Sequence, residues 1–181
     1  MKKVLFFAAL VVLAACNSKA PETTETAKPA DATVAEIKSP YPVGYSSKFT
    51  IGDPKNAESV LALWKIWESG DLSGSKDIFA DSVTLNFADG SMMSGSKDSV
   101  IAGAQQFRST LASSVSTVDV ILAVKSTDKD ENWGLIWGKE INTDKKGKVD
   151  STYLQEAWQF NKDGKVRQMF QFKAAAAAPK K

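Results

Sequence analysis

Glu156 is the carboxylate best placed to do chemistry. It lies in a run from Asp150 to Phe160 in which Leu154, Trp158 and Phe160 alternate with smaller residues. In an extended strand that period puts Thr152 and Glu156 on the side of the large apolar side chains. Desolvation disfavours the ionised form of an inward acid among tryptophans, which suits it to general acid–base work. Three readings of the position stay open: a lone inward acid, an edge position in water, or an alternation broken by a bulge. A catalytic partner is hard to find. The chain has no histidine, which excludes Ser-His-Asp triads, His-ligated zinc and His-ligated haem. Its arginines are Arg108, expected on a helix flank in water, and Arg167, expected to face away from the side of Phe170. Tyr153 falls on the face opposite Trp158. Neither a Gly-rich phosphate loop nor a metal-ligand cluster is present, so no metal and no cofactor is called for.

The second reactive group is the single thiol, Cys16. One cysteine excludes an internal disulfide and any CxxC site. Met1-Lys2-Lys3 is a basic n-region, Val4 to Leu13 an apolar run, and Ala14-Ala15 a pair of small residues before Cys16. That is the layout of a secretory signal, too short for a span of about 20 residues. Leu13-Ala14-Ala15-Cys16 resembles the bacterial lipobox. The resemblance implies cleavage after residue 15 and acylation of Cys16. At about 0.8 kcal/mol per buried CH₂, two or three acyl chains make a stable anchor. Asn17 rather than Asp follows the cysteine, which favours the outer membrane, facing the periplasm. The expected location is thus the bacterial cell envelope.

Lys+Arg is 23 and Asp+Glu is 21, and both excess lysines precede Cys16, so the processed chain is balanced. Bulk charge offers nothing to nucleic acid. Residues 16–50 are rich in Ala, Pro, Thr, Glu and Lys, with no aromatic before Tyr41. Such a segment buries too little surface to offset its ordering entropy and reads as a flexible tether reaching about 30 Å. Tyr41, Tyr45, Phe49 and Ile51 read as a first strand, a strap across the domain or a weak docking segment. Residues 174–181 read as a disordered Ala/Lys tail.

A domain over 51–173 must position these groups. Asp53-Pro54 starts a helix whose apolar stripe is Ala57, Val60, Leu61, Trp64 and Trp67, ended by Gly70. A short helix is expected over Leu72–Phe79, then a strand over Asp81–Phe87 and a turn at Asp89-Gly90. Ser96 caps a third helix with Val100, Ile101, Ala104, Phe107 and Leu111 as its stripe. The period then falls to two: Val118 to Val124 share one strand face, Trp133 to Ile141 form a second strand, and strands over Asp150–Phe160 and Val166–Phe172 follow. Helices first and an antiparallel meander afterwards make an α+β domain.

Certain short segments carry a resemblance. Ser69-Gly70-Asp71-Leu72, Phe79-Ala80-Asp81-Ser82-Val83, the Gly95-bounded third helix and Trp158-Gln159-Phe160-Asn161-Lys162-Asp163-Gly164-Lys165-Val166 together resemble the nuclear transport factor 2-like superfamily, including SnoaL-like proteins. The resemblance implies a cone-shaped, curved antiparallel sheet wrapped around the long N-terminal helix, with two further helices and a pocket at the wide end. Gly134 and Gly138, inside a strand, suit such curvature. Enzymes of that superfamily commonly use His–Asp, paired Asp with Arg, or Tyr–Asp sets, and this chain departs from all three.

The pocket is expected to be lined by Trp64, Trp67, Phe87, Phe107, Trp137, Trp158, Gln168 and Phe170, with Glu156 as its one candidate catalytic group. The bland reading makes the tryptophans core. The expected function is a membrane-anchored envelope lipoprotein whose domain binds a small apolar or amphipathic ligand. The alternative is a SnoaL-like isomerase, cyclase or hydrolase using Glu156 as acid/base. Expected partners are the membrane through lipid on Cys16, a small hydrophobic ligand and a second copy of the chain, with no nucleic acid.

Overall fold

The computed structural model describes residues 37–175. The signal segment, Cys16, most of the tether and the last residues of the tail lie outside them. The elements are β1 (Phe49–Ile51), α1 (Pro54–Ser69), β2 (Phe79–Asn86), β3 (Met92–Ser96), α2 (Lys97–Arg108), β4 (Leu111–Ser126), β5 (Glu131–Asp144), β6 (Val149–Phe160) and β7 (Val166–Ala175). They form one curved seven-stranded sheet, ordered β1-β4-β5-β6-β7-β2-β3.

Local chemistry explains both helices. Asp53 accepts a hydrogen bond from the Lys55 backbone N–H, and Gly70, at φ 84°, closes α1 with its N–H on the Trp67 carbonyl. Its buried residues are Asn56, Val60, Leu63 and Trp64, whereas Leu61 faces outward. Ser96 caps α2 by accepting from the Ser99 N–H. This helix stops at Arg108, and Leu111, expected on its stripe, is the first residue of β4.

Several expectations need correcting. Leu72–Phe79 is not a helix: a single 3-10 turn covers Leu72–Ser75, and Phe79 already pairs with Val166 in the sheet. Gly74 weakens any longer helix, and the Ser75 hydroxyl bonds back to the Leu72 carbonyl, so pairing with β7 prevails. The sheet is mixed rather than antiparallel, because β2 runs parallel to β7. The turn at Asp89-Gly90 leads into a further strand, β3, whose sequence Met-Met-Ser-Gly-Ser carries no strand signal. On β4 a register shift at Asp119 breaks the run of valines: Val118 pairs with Gly138 and Val120 with Trp137, on opposite faces.

Helix α1 packs across β4 and β5. Gly134 and Gly138 lie directly beneath it. A Cβ on Gly134 would stand 2.7 Å from a Val60 methyl, and one on Gly138 would run into the Thr117 carbonyl oxygen of β4 and stand 2.8 Å from the Trp64 ring. These glycines bring the helix down onto the sheet, a closer constraint than curvature. The core between helices and sheet includes Val60, Leu63, Trp64, Val83, Ile136, Trp158, Phe160, Val166 and Met169.

Candidate functional site

Register defines the inner, helix-facing side. Ile136 pairs with Glu156 and Gly138 with Leu154, and both rows sit beneath α1. Glu156 is 5% exposed. One of its oxygens, Oε2, accepts from Trp64 Nε1 at 2.7 Å and Trp158 Nε1 at 2.9 Å, and Oε1 accepts from Gln171 Nε2 at 2.9 Å. Burial raises its pKa. The three donors pull it back, and the charge of a second inward acid, Glu140, pushes it further up.

Glu140 lies on the same strand face as Ile136, four residues on, and is half-buried. Its pKa is also raised by burial, against the favourable influence of Asn142, Trp67, Ser114 and Arg108. Asn142 donates a hydrogen bond to Glu140 Oε1. Trp67 Nε1 and Ser114 Oγ are close enough to favour the anion, yet neither closes a hydrogen bond of normal geometry. Two tryptophans of α1 therefore aim at two carboxyls: Trp64 at Glu156, and Trp67 at Glu140.

Arg108 is buried, not in water as its place on the helix suggested. Its Nε donates to the Trp67 carbonyl at 2.7 Å, Nη2 to Glu68 at 3.1 Å and Nη1 to Leu111 at 3.4 Å. The guanidinium lies 5.9 Å from the centre of the Trp67 ring. It thus supplies a donor to the Glu68 carbonyl and a second one to that of Trp67, which Gly70 already caps, at the C-terminus of α1, where the helix dipole favours a cation. Arg167 stays on the outer side, donating to Gln159 Oε1 at 3.0 Å.

Comparison with known proteins adds the fold. No protein-family model matches the chain, and no curated protein matches it. Solved structures do. An NTF2-like protein of unknown function from Burkholderia pseudomallei matches at TM-score 0.52 and 17% identity, over 67% of this chain and 90% of that one. The fold is NTF2-like. A Catenulispora acidiphila protein of ketosteroid isomerase-like fold, solved with trimethylamine, matches at TM-score 0.53 and 12% identity, over 64% of this chain and 84% of that one. The epoxide hydrolase/cyclase-like enzyme SalBIII, which acts in pyran ring formation in the polyether salinomycin, matches at 0.51 and 11%, over 66% and 91%. Such identities carry shape, and function must be argued from the site.

Within this NTF2-like fold the expected pocket residues separate. Trp64 and Trp158 close over Glu156, Trp67 lies beside Glu140, and Phe87 packs against the core. Phe107 is 60% exposed and stacks on Trp67 at 6.1 Å. Trp137, Gln168 and Phe170 are on the outer face, paired with Gln155, Gln159 and Ala157, and Phe170 stacks on Trp133 at 6.4 Å. For Trp137 the cause is strand parity: Gly134, Ile136 and Gly138 take the inner positions of β5, so Trp133, Leu135 and Trp137 fall on the outer face. For Gln168 and Phe170 it is a register shift beside Val166, which turns Met169 and Gln171 inward instead. Glu140 was missed, although its parity with Gly134 and Gly138, the residues beneath the helix, was a usable signal. An open groove of about 480 Å³ lies elsewhere, between Gly70–Lys76 and α2, and touches neither acid.

Proposed function

We propose that this chain is an envelope lipoprotein. Acyl chains on Cys16 hold it to the outer membrane, residues 16–50 tether it, and the NTF2-like domain binds a small apolar or amphipathic ligand on the inner face of its sheet. One observation carries the ligand part: beyond Trp64 the inner face stays accessible, with half-buried Glu140 beside Trp67, Thr152 and the 42% exposed Val118. Glu156, closed off by Trp64 and Trp158, serves as the anchor of α1 in this reading. The lipid part rests on the sequence around Cys16 alone.

The test has two arms. Cells fed an alkynyl palmitate analogue should label the wild-type chain and not Cys16→Ser. Apolar ligands should quench tryptophan fluorescence in the wild type, with the response reduced in Trp67→Phe. Absence of label sinks the anchor, and absence of any response sinks the ligand. Acid–base catalysis is the second reading, favoured by the raised pKa of Glu156 and by the enzyme SalBIII among the fold neighbours. It requires that Glu156→Gln abolish turnover of a substrate while leaving its binding intact. A second copy would dock on the outer face, where Val115, Val120, Tyr153 and Phe172 are exposed, and sedimentation of Phe172→Lys beside wild type checks this.

A further inference from the structure

Beside Glu140 the β4–β5 ladder assembles three oxygen acceptors. Ser114 pairs directly with Asn142, and Asn142 shares its strand face with Glu140, two residues away. Ser114 is 4% exposed, and its Oγ has no hydrogen-bond partner. Asn142 gives its Nδ2 to Glu140, which leaves a buried Oδ1 also without one. Buried polar atoms are seldom left unpaired, so two acceptor oxygens beside one carboxyl need an account; the third unpaired atom there, Trp67 Nε1, is a donor already aimed at Glu140. We infer that Ser114 Oγ, Asn142 Oδ1 and the Glu140 carboxylate receive the three N–H donors of a primary ammonium group, so the ligand is an organic primary amine with an apolar tail. This rests on the inner-face ligand site proposed above and names the chemistry of its polar end.

The surrounding charges agree. From α1, Lys65 is tied to Glu68, and Glu68 also accepts from the Ser116 N–H. From α2, Arg108 spends its donors on backbone carbonyls, so it makes no ion pair with Glu140, although its charge favours the Glu140 anion. Glu156 on β6 is a second acid, whose charge and that of Glu140 oppose one another. Asp150 and Lys173 are exposed at the rim. A bound cation relieves the repulsion between two desolvated acids, whereas a bound anion adds to it.

The experiment uses the full-length chain in detergent and three probes sharing a six-carbon tail: hexylamine, hexanol and hexanoate. Binding is read by tryptophan fluorescence and by calorimetry. Hexylammonium should bind at least about tenfold more tightly than hexanol, as expected of hydrogen bonds to charged groups. Glu140→Gln should remove the tenfold preference of hexylammonium over hexanol; Ser114→Ala should cut that preference severalfold and is the second test if Glu140→Gln fails to fold by circular dichroism. Hexanol or hexanoate binding as tightly as hexylammonium overturns the ammonium assignment and leaves the ligand site standing. Failure of all three probes to bind overturns both.

Discussion

Replacing Glu156 by glutamine should change how stability depends on pH more than it changes stability in acid. The folded chain holds the Glu156 proton more tightly than the unfolded chain, since burial raises its pKa above the ordinary 4.5. The contribution of that proton to stability is therefore complete below about pH 4.5 and is lost as pH rises through the folded value. While the group titrates, unfolding free energy should fall by up to about 1.4 kcal/mol per pH unit. Glu140 acts with the same sign. In Glu156→Gln the amide oxygen can still accept from both indoles, and Gln171 can turn its own amide to match. Stability at pH 4.5 should then stay within about 1 kcal/mol of wild type, and at pH 8 it should equal or exceed it. Glu156→Ala differs, because it leaves two buried indole N–H groups and the Gln171 amide unpaired, at roughly 1–3 kcal/mol each. Urea denaturation followed by tryptophan fluorescence from pH 4.5 to 8 measures this. Wild-type stability that rises across the range, or a Glu140→Gln/Glu156→Gln double variant as pH-dependent as wild type, would refute the reasoning.

Other expectations follow from packing. Gly138→Ala should lower stability by about 2 kcal/mol or more, since its methyl runs into the Thr117 carbonyl oxygen and meets the Trp64 ring at 2.8 Å, whereas Gly44→Ala, with open space around it, should be neutral in thermal denaturation. Arg108→Met should cost about 1–3 kcal/mol in urea denaturation by leaving the Glu68 carbonyl without its donor while Trp67 keeps only the Gly70 N–H, and Arg108→Lys should rescue little, since an ammonium cannot span the same fork.

The site was legible in proportion to how regular its strand is. On β6 the large apolar residues alternate without interruption from Leu154 to Trp158, so the inward direction of Glu156 follows from sequence alone. On β5 the same logic misplaces Trp137. Its inner face is marked by Gly134 and Gly138, and an absent side chain is read as silence, not as contact with a helix. On β7 one register shift is enough to exchange Gln168 and Phe170 for Met169 and Gln171. Arg108 looked solvated because α2 is amphipathic only in outline, and nothing local shows that the end of α1 lies against it.

The chain's own order of residues settled what depends on neighbours a few positions apart: both capped helices, the hairpin turns, the two-residue period of the late strands, and the absence of imidazole chemistry. Tertiary structure decided which strands meet. The parallel pairing of β2 with β7 joins residues more than eighty positions apart, and no local pattern encodes a pairing whose energy comes from backbone hydrogen bonds common to every sequence. It also decided that Trp64 and Trp67 each face a carboxyl, because a buried acid is tolerated only where the fold brings donors to it.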